Sequence, residues 1–306
     1  MKRKKHGQIF ITLGMVFLLC AAVLSGCFFD FYDDYYDARS DYPQNSAPPE
    51  NRQNSLPVMP GSSDSGVSFA LDKSSADVFI EDIDAIYSIS LIDSDGLLSS
   101  SQGSRLMDEI ERGLSLFSPG FIRKMVAFYA EYGSVFFMVL ENAAEDGDYG
   151  VADWDGDITI YLYYNLFDEL NGITAAVLAH EFTHAAHYII EEYIGEEQSE
   201  RDMMSFNGDF FYSEDDYDYL WNERLHSATF AYDYGMANYY DDMAAIVELL
   251  VERPEEMAAR HSDHQNEPLY LKTRYIRDAM YMYISDECRA VFAPLYYADE
   301  VLEQAA

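Results

Sequence analysis

The stretch from Ile173 to Ile190 contains neither proline nor glycine and carries His180-Glu181-Phe182-Thr183-His184 in its middle, which constrains this chain more than any other feature. A run free of both residues reads as one helix. Histidines four apart on a helix project from the same face, about 6 Å from each other along the axis, so one ion can bridge their rings. Ile173 and Val177 extend the same stripe upstream and would bury the helix, leaving the histidines at the edge of a cleft. Glu181 sits one position round from His180, where a carboxylate can take a proton from water beside an ion without ligating it.

This H-E-x-x-H arrangement resembles that of the zincin metallopeptidases. A catalytic zinc centre needs a third protein ligand and one open position. His187 lies on the same stripe, but seven residues of rise carry it about 10 Å from His180, too far to share an ion with both other histidines. It reads as a supporting or core histidine. The metzincin pattern is excluded, because His187 and Ile190 stand where that pattern needs glycine and then histidine. A thermolysin-like third ligand would be a glutamate on a second helix some twenty residues on. Glu196, Glu197 and Glu200 belong to a charge run of the kind found on solvated faces, while Asn222-Glu223 echoes the Asn-Glu pair of that family, which keeps Glu223 in play.

A further candidate lies in Tyr234-Gly-Met-Ala-Asn-Tyr-Tyr-Asp241-Asp242-Met-Ala-Ala-Ile-Val-Glu-Leu-Leu. Met243, Ile246, Val247 and Leu250 form an apolar helical face, and Asp241 or Asp242 is placed to cap the helix. The block resembles the catalytic domain of the lethal-factor-like zincins and related lipoproteins of Gram-positive bacteria. In that family an acid three residues before an alanine is the third zinc ligand, and a tyrosine seven residues before the acid helps to stabilise the oxyanion. The resemblance puts the ligand at Asp241, before Ala244, and the tyrosine at Tyr234. The chain departs from the family by having Asp for Glu at the ligand and Ala245 where another acid follows the alanine.

The N-terminus addresses the question of location. Lys2, Arg3, Lys4 and Lys5 precede an apolar run, Ile9 to Leu24, that is too short for a comfortable membrane span and closes on Leu24-Ser25-Gly26-Cys27. That junction resembles a bacterial lipobox, so residues 1–26 read as a lipoprotein signal peptide and Cys27 as a lipidated anchor. Residues 27–66, with Pro43, Pro48, Pro49, Pro57 and Pro60 among Ser, Asn, Gln and Asp, read as a disordered acidic tether reaching roughly 35 Å. Residues 67–306 remain as the zincin-like domain. Cys20 leaves with the signal and Cys27 is lipidated, which leaves Cys288 without an intrachain partner and excludes a disulfide framework. The formal net charge of −36 argues against nucleic acid as a partner.

Within the domain, Leu106, Ile110, Leu114 and Phe117 repeat at helical spacing, and Pro119 opens a second helical stretch through Ile122, Met125, Val126 and Tyr129. Ser134 to Leu140 and Ile158 to Tyr164 read as a strand pair separated by a Gly/Asp-rich turn. The second of these is a candidate edge strand for an extended substrate. Pro268 opens a last helix bearing Leu269, Ile276, Met280 and Tyr283. The expected fold is α+β: zincin-like, mainly helical, with a small sheet beside the active-site helix. The resemblance implies one Zn2+ per chain, held by His180, His184 and Asp241, with Glu181 as base and Tyr234 at the oxyanion. The implied function is hydrolysis of peptide or protein substrates at the extracellular face of the bacterial membrane. A non-catalytic zinc-containing binding lipoprotein and a thermolysin-like enzyme ligated by Glu223 are the alternatives.

Overall fold

In the computed structural model, which describes residues 70–143, 149–164, 173–213, 226–263 and 267–295, the first helix is α1 (Ala76–Tyr87). Ser75 caps it, and Phe79, Ile83 and Tyr87, four apart, turn one face inward. After strand β1 (Ser90–Asp93) comes α2 (Gly103–Glu131), which is two helices in one: Ser118 breaks it at φ 62° and ψ 152°. Pro119 favours a break at this point, since its ring disfavours the helical conformation in the residue before it. Ser118 Oγ then accepts from Phe121 N at 3.2 Å and caps the second half.

The sheet has four strands in the order β1-β2-β4-β3, with β2 spanning Phe136–Asn142, β3 Gly150–Asp155 and β4 Asp157–Tyr164. β1, β2 and β4 are parallel, and β3 runs antiparallel to β4. Two sequence expectations change here. The runs around β2 and β4 do pair, but in parallel register, Phe136 opposite Ile158, and so cannot form a hairpin. The hairpin is β3–β4, turning at Asp155-Gly156-Asp157, whose Asp-Gly step is the turn signal. Consequently β4 is flanked on both sides, and β3 rather than Ile158–Tyr164 forms that edge of the sheet among the described residues. Alternation along β4 is strict: Ile158, Ile160, Leu162 and Tyr164 are buried, with Thr159, Tyr161 and Tyr163 on the other face.

Helix α3 (Ala175–Ile194) packs against α2, β3 and β4, and is followed by α4 (Glu196–Ser205), α5 (Tyr239–Glu252), α6 (Pro254–Asp263) and α7 (Pro268–Tyr283). The described part is thus mainly helical with a small mixed sheet. One buried apolar cluster runs through α1, α2, the sheet, α3, α5 and α7.

Several groups fix α3. Thr174 caps it by accepting from Val177 N, and Glu109 Oε2 from α2 accepts Ala175 N at 2.9 Å, a negative charge at the positive helix end. Gly113 of α2 lets the helices meet closely, since a Cβ there would lie 2.7 Å from Leu178 Cδ2 and 3.3 Å from Ala175 Cα. Below, Phe182 sits between Phe117 and Phe136, at centroid distances of 5.5 and 5.7 Å, and the buried Tyr129 hydroxyl donates to Ala185 O. The underside of α3 is therefore locked, which fixes the direction in which its histidine face points.

Candidate metal centre

His180 and His184 lie on one face of α3 with ring centroids 4.9 Å apart. Asp241 comes from α5 in the first turn, and its Oδ1 lies 3.6 Å from His184 Nε2. One donor atom from each of these three residues falls within 4.8 Å of the other two, the cluster of this kind found among the described residues. A tetrahedral zinc with bonds near 2.0 Å separates its ligands by about 3.3 Å, so the three donors need only a small closure to share an ion. The donor chemistry fits as well. Burial, with the nearby rings of His180 and His187, holds His184 well below the usual imidazole range, so that it presents an uncharged ring with a lone pair. Asp241 and His180 are 6% and 8% exposed, so the acid and the imidazole meet largely away from water, where attraction to a shared cation would be little screened.

Each ligand candidate is held by a partner. His180 Nδ1 lies 2.9 Å from Glu248 Oε2, which leaves Nε2 for a metal. Burial opposes charge on the His180 ring, but the Glu248 carboxylate, with Glu181 and Asp241, outweighs it and raises the imidazole above its usual range. Asn238 governs Asp241. Its Oδ1 accepts Asp241 N at 2.8 Å and its Nδ2 donates to Asp241 Oδ2 at 2.7 Å, so Oδ1 is the oxygen left toward His184. Asn238 is therefore the helix cap, where the sequence pointed to Asp241 or Asp242. Asn is as good a cap as Asp, and here it frees the acid one turn on.

Asp242 is not in the cluster. It is fully buried, and its Oδ2 accepts from Lys272 Nζ of α7 at 2.6 Å and from Tyr212 at 2.8 Å. Lys272, itself fully buried, also donates to Thr229 O at 2.9 Å and lies 4.1 Å from the Phe230 ring centroid. Two adjacent aspartates on a helix point about 100° apart, which is why one faces the histidines and the other the core.

Glu181 is 4% exposed and lies beside Gly150, at the start of β3. Tyr234, on a short 3-10 turn capped by Asp233, has its ring 5.9 Å from that of His180 and is 42% exposed. His187 is a core residue, packed edge-on to Tyr239 and stacked with Tyr240, with Nε2 3.1 Å from Glu191 Oε1. Glu223 and Cys27 lie outside the described residues. Glu248, Asn238 and Gly150 were not anticipated. For Glu248 a signal existed: it is a lone acid within the apolar run Met243 to Leu250, seven residues after Asp241 and so two turns further along the same face.

No protein-family model matches the chain, and no curated protein matches it. Among solved structures it is similar to one from Bacteroides caccae ATCC 43185, provisionally described as a zinc-binding metallo-peptidase. That similarity has a TM-score of 0.47 and 13% identity, over 72% of this chain and 91% of the other. At that level the functional reading rests on the site.

Proposed function

We propose that this protein is a zinc-dependent peptidase of the zincin type. The observation that carries the reading is the convergence of His180 and His184 from α3 with Asp241 from α5, beside a carboxylate, Glu181, that belongs to α3 but not to the donor cluster. When bound there, zinc would supply a Lewis acid that makes water acidic near neutral pH. Glu181 would accept the proton of the attacking water and later return it to the leaving amine. Tyr234, at the rim, would donate to the carbonyl oxygen as its charge develops. Glu248 and Asn238 hold the ligands in place for this.

β3 takes the substrate role that the sequence suggested for Ile158–Tyr164. Tyr163 N donates to Tyr149 O at 3.0 Å, which sets the phase of the β3–β4 ladder. Gly150, opposite Leu162, is then in a non-hydrogen-bonded pair, and its N–H and C=O face the outer edge. An extended peptide pairing there would cross beside Glu181. The lethal-factor-like assignment is supported by Tyr234, Asp241 and Ala244 at the family's spacing. Attachment to the outer membrane face through Cys27 is supported by the sequence, and none of the described helices is long and apolar enough to cross a membrane.

The test is zinc content together with hydrolysis of a fluorescence-quenched peptide library by wild type and Glu181→Gln. The reading expects one zinc per chain in both proteins and turnover in the wild type only. Zinc without turnover in either protein would favour the binding lipoprotein.

A further inference from the structure

A methyl group built on Gly150 would sit 2.6 Å from Glu181 Oε1, 2.8 Å from its Cγ and 2.9 Å from its Cδ. Real side chains do not approach so closely, so Glu181 in its present position and any residue larger than glycine at 150 exclude each other. The contact involves not only the carboxylate tip but also Cγ, so a small twist of the end group does not relieve it. The backbone gives no reason for glycine here, because Gly150 is not among the residues of positive φ and lies in an ordinary strand conformation. Its neighbours on β3 carry side chains, and Ala152, two positions on and on the same face, packs against the core with its carbonyl accepting from Tyr188 of α3 at 3.4 Å. The strand is thus tied to the active-site helix, and at one position along it the side chain is missing where Glu181 stands.

We infer that Gly150 is a positioning residue for Glu181: the missing side chain is the space in which the general base stands, so strand and base share one volume at the cleft. This rests on the peptidase reading. It adds to it a requirement on a residue outside the donor cluster.

The experiment compares zinc-loaded wild type, Gly150→Ala, Glu181→Asp and the double variant on the fastest-cleaved peptide of a fluorescence-quenched library, with zinc affinity measured by a chelating dye. Gly150→Ala should lower kcat about 100-fold, the scale of a lost general base, with KM and zinc affinity unchanged. Glu181→Asp should slow the wild type, but in the Gly150→Ala background it should cost nothing further or restore activity, because the shorter acid clears the methyl. Wild-type speed in Gly150→Ala, or losses that multiply in the double variant, would overturn the inference. If the wild type cleaves no peptide, the peptidase reading falls separately. The steric claim is then decided by urea denaturation of the zinc-free proteins. The stability lost through Gly150→Ala should vanish in a Glu181→Ala background, and an equal loss in both backgrounds refutes it.

Discussion

Glu248 Oε2 and His180 Nδ1 are 2.9 Å apart although the residues belong to different helices, and this contact joins the two elements that bear the candidate ligands. A carboxylate on Nδ1 fixes the ring's orientation and would direct Nε2 to a bound metal. Glu248→Gln should weaken zinc binding by about 10- to 100-fold, the usual effect of losing such a partner. Competition with a chelating dye measures it, and unchanged affinity would remove Glu248 from the site.

The third ligand is open to direct test. Asp241→Ala reduces the cluster to two histidines and should abolish tight zinc binding, whereas Glu223→Ala should leave it intact. The opposite pattern would establish the thermolysin-like arrangement.

Asp242 and Lys272 form a fully buried pair at 2.6 Å. Removing one partner strands the other charge in the core, so Lys272→Met and Asp242→Ala should each cost about 3–5 kcal/mol in urea unfolding. The double exchange Lys272→Met, Asp242→Leu should recover most of that. A double variant as unstable as the two singles combined would show that the pair has no such coupling.

Burial, helped by the Glu111 charge, pushes the Tyr87 phenol up from 10.0 to about 12, and burial likewise raises Tyr129, Tyr212 and Tyr239. A folded value above the unfolded one means that the contribution to stability is whole below about pH 10 and is lost as pH rises from there through the folded value. The zinc-free protein should therefore unfold in alkali, with phenolate absorbance and loss of circular dichroism rising together above about pH 10. Full phenol ionisation with the fold intact would contradict the burial of these rings.

Cys27→Ala should shift the protein from the membrane fraction to the medium with its zinc content unchanged, since the Leu-Ser-Gly-Cys junction that closes the apolar run and precedes the Pro-rich stretch makes Cys27 the expected anchor. A variant that is processed and still sediments with membranes would sink the lipobox reading.

The sequence by itself determined whatever depends on neighbours along the chain. The proline- and glycine-free run marked α3, the four-residue spacing put His180 and His184 on one face, and Pro119 announced the break at Ser118. Burial of Met243, Ile246, Val247 and Leu250 followed from their helical spacing. The resemblance supplied Asp241, which the fold brings beside His184.

Only the tertiary structure decided what depends on a partner far along the chain. Asp241 and Asp242 are chemically alike in sequence; one faces the histidines and the other Lys272, because a single step round the helix separates cleft from core. The order of the sheet, and hence which strand offers an edge beside Glu181, follows from packing that no local pattern records. Glu248 meets His180 across 68 residues, and the closeness of Gly150 to Glu181 arises where a strand end and a helix face converge. Periodicity reports which way a side chain points, whereas the atom waiting there is set by the folding of the whole chain.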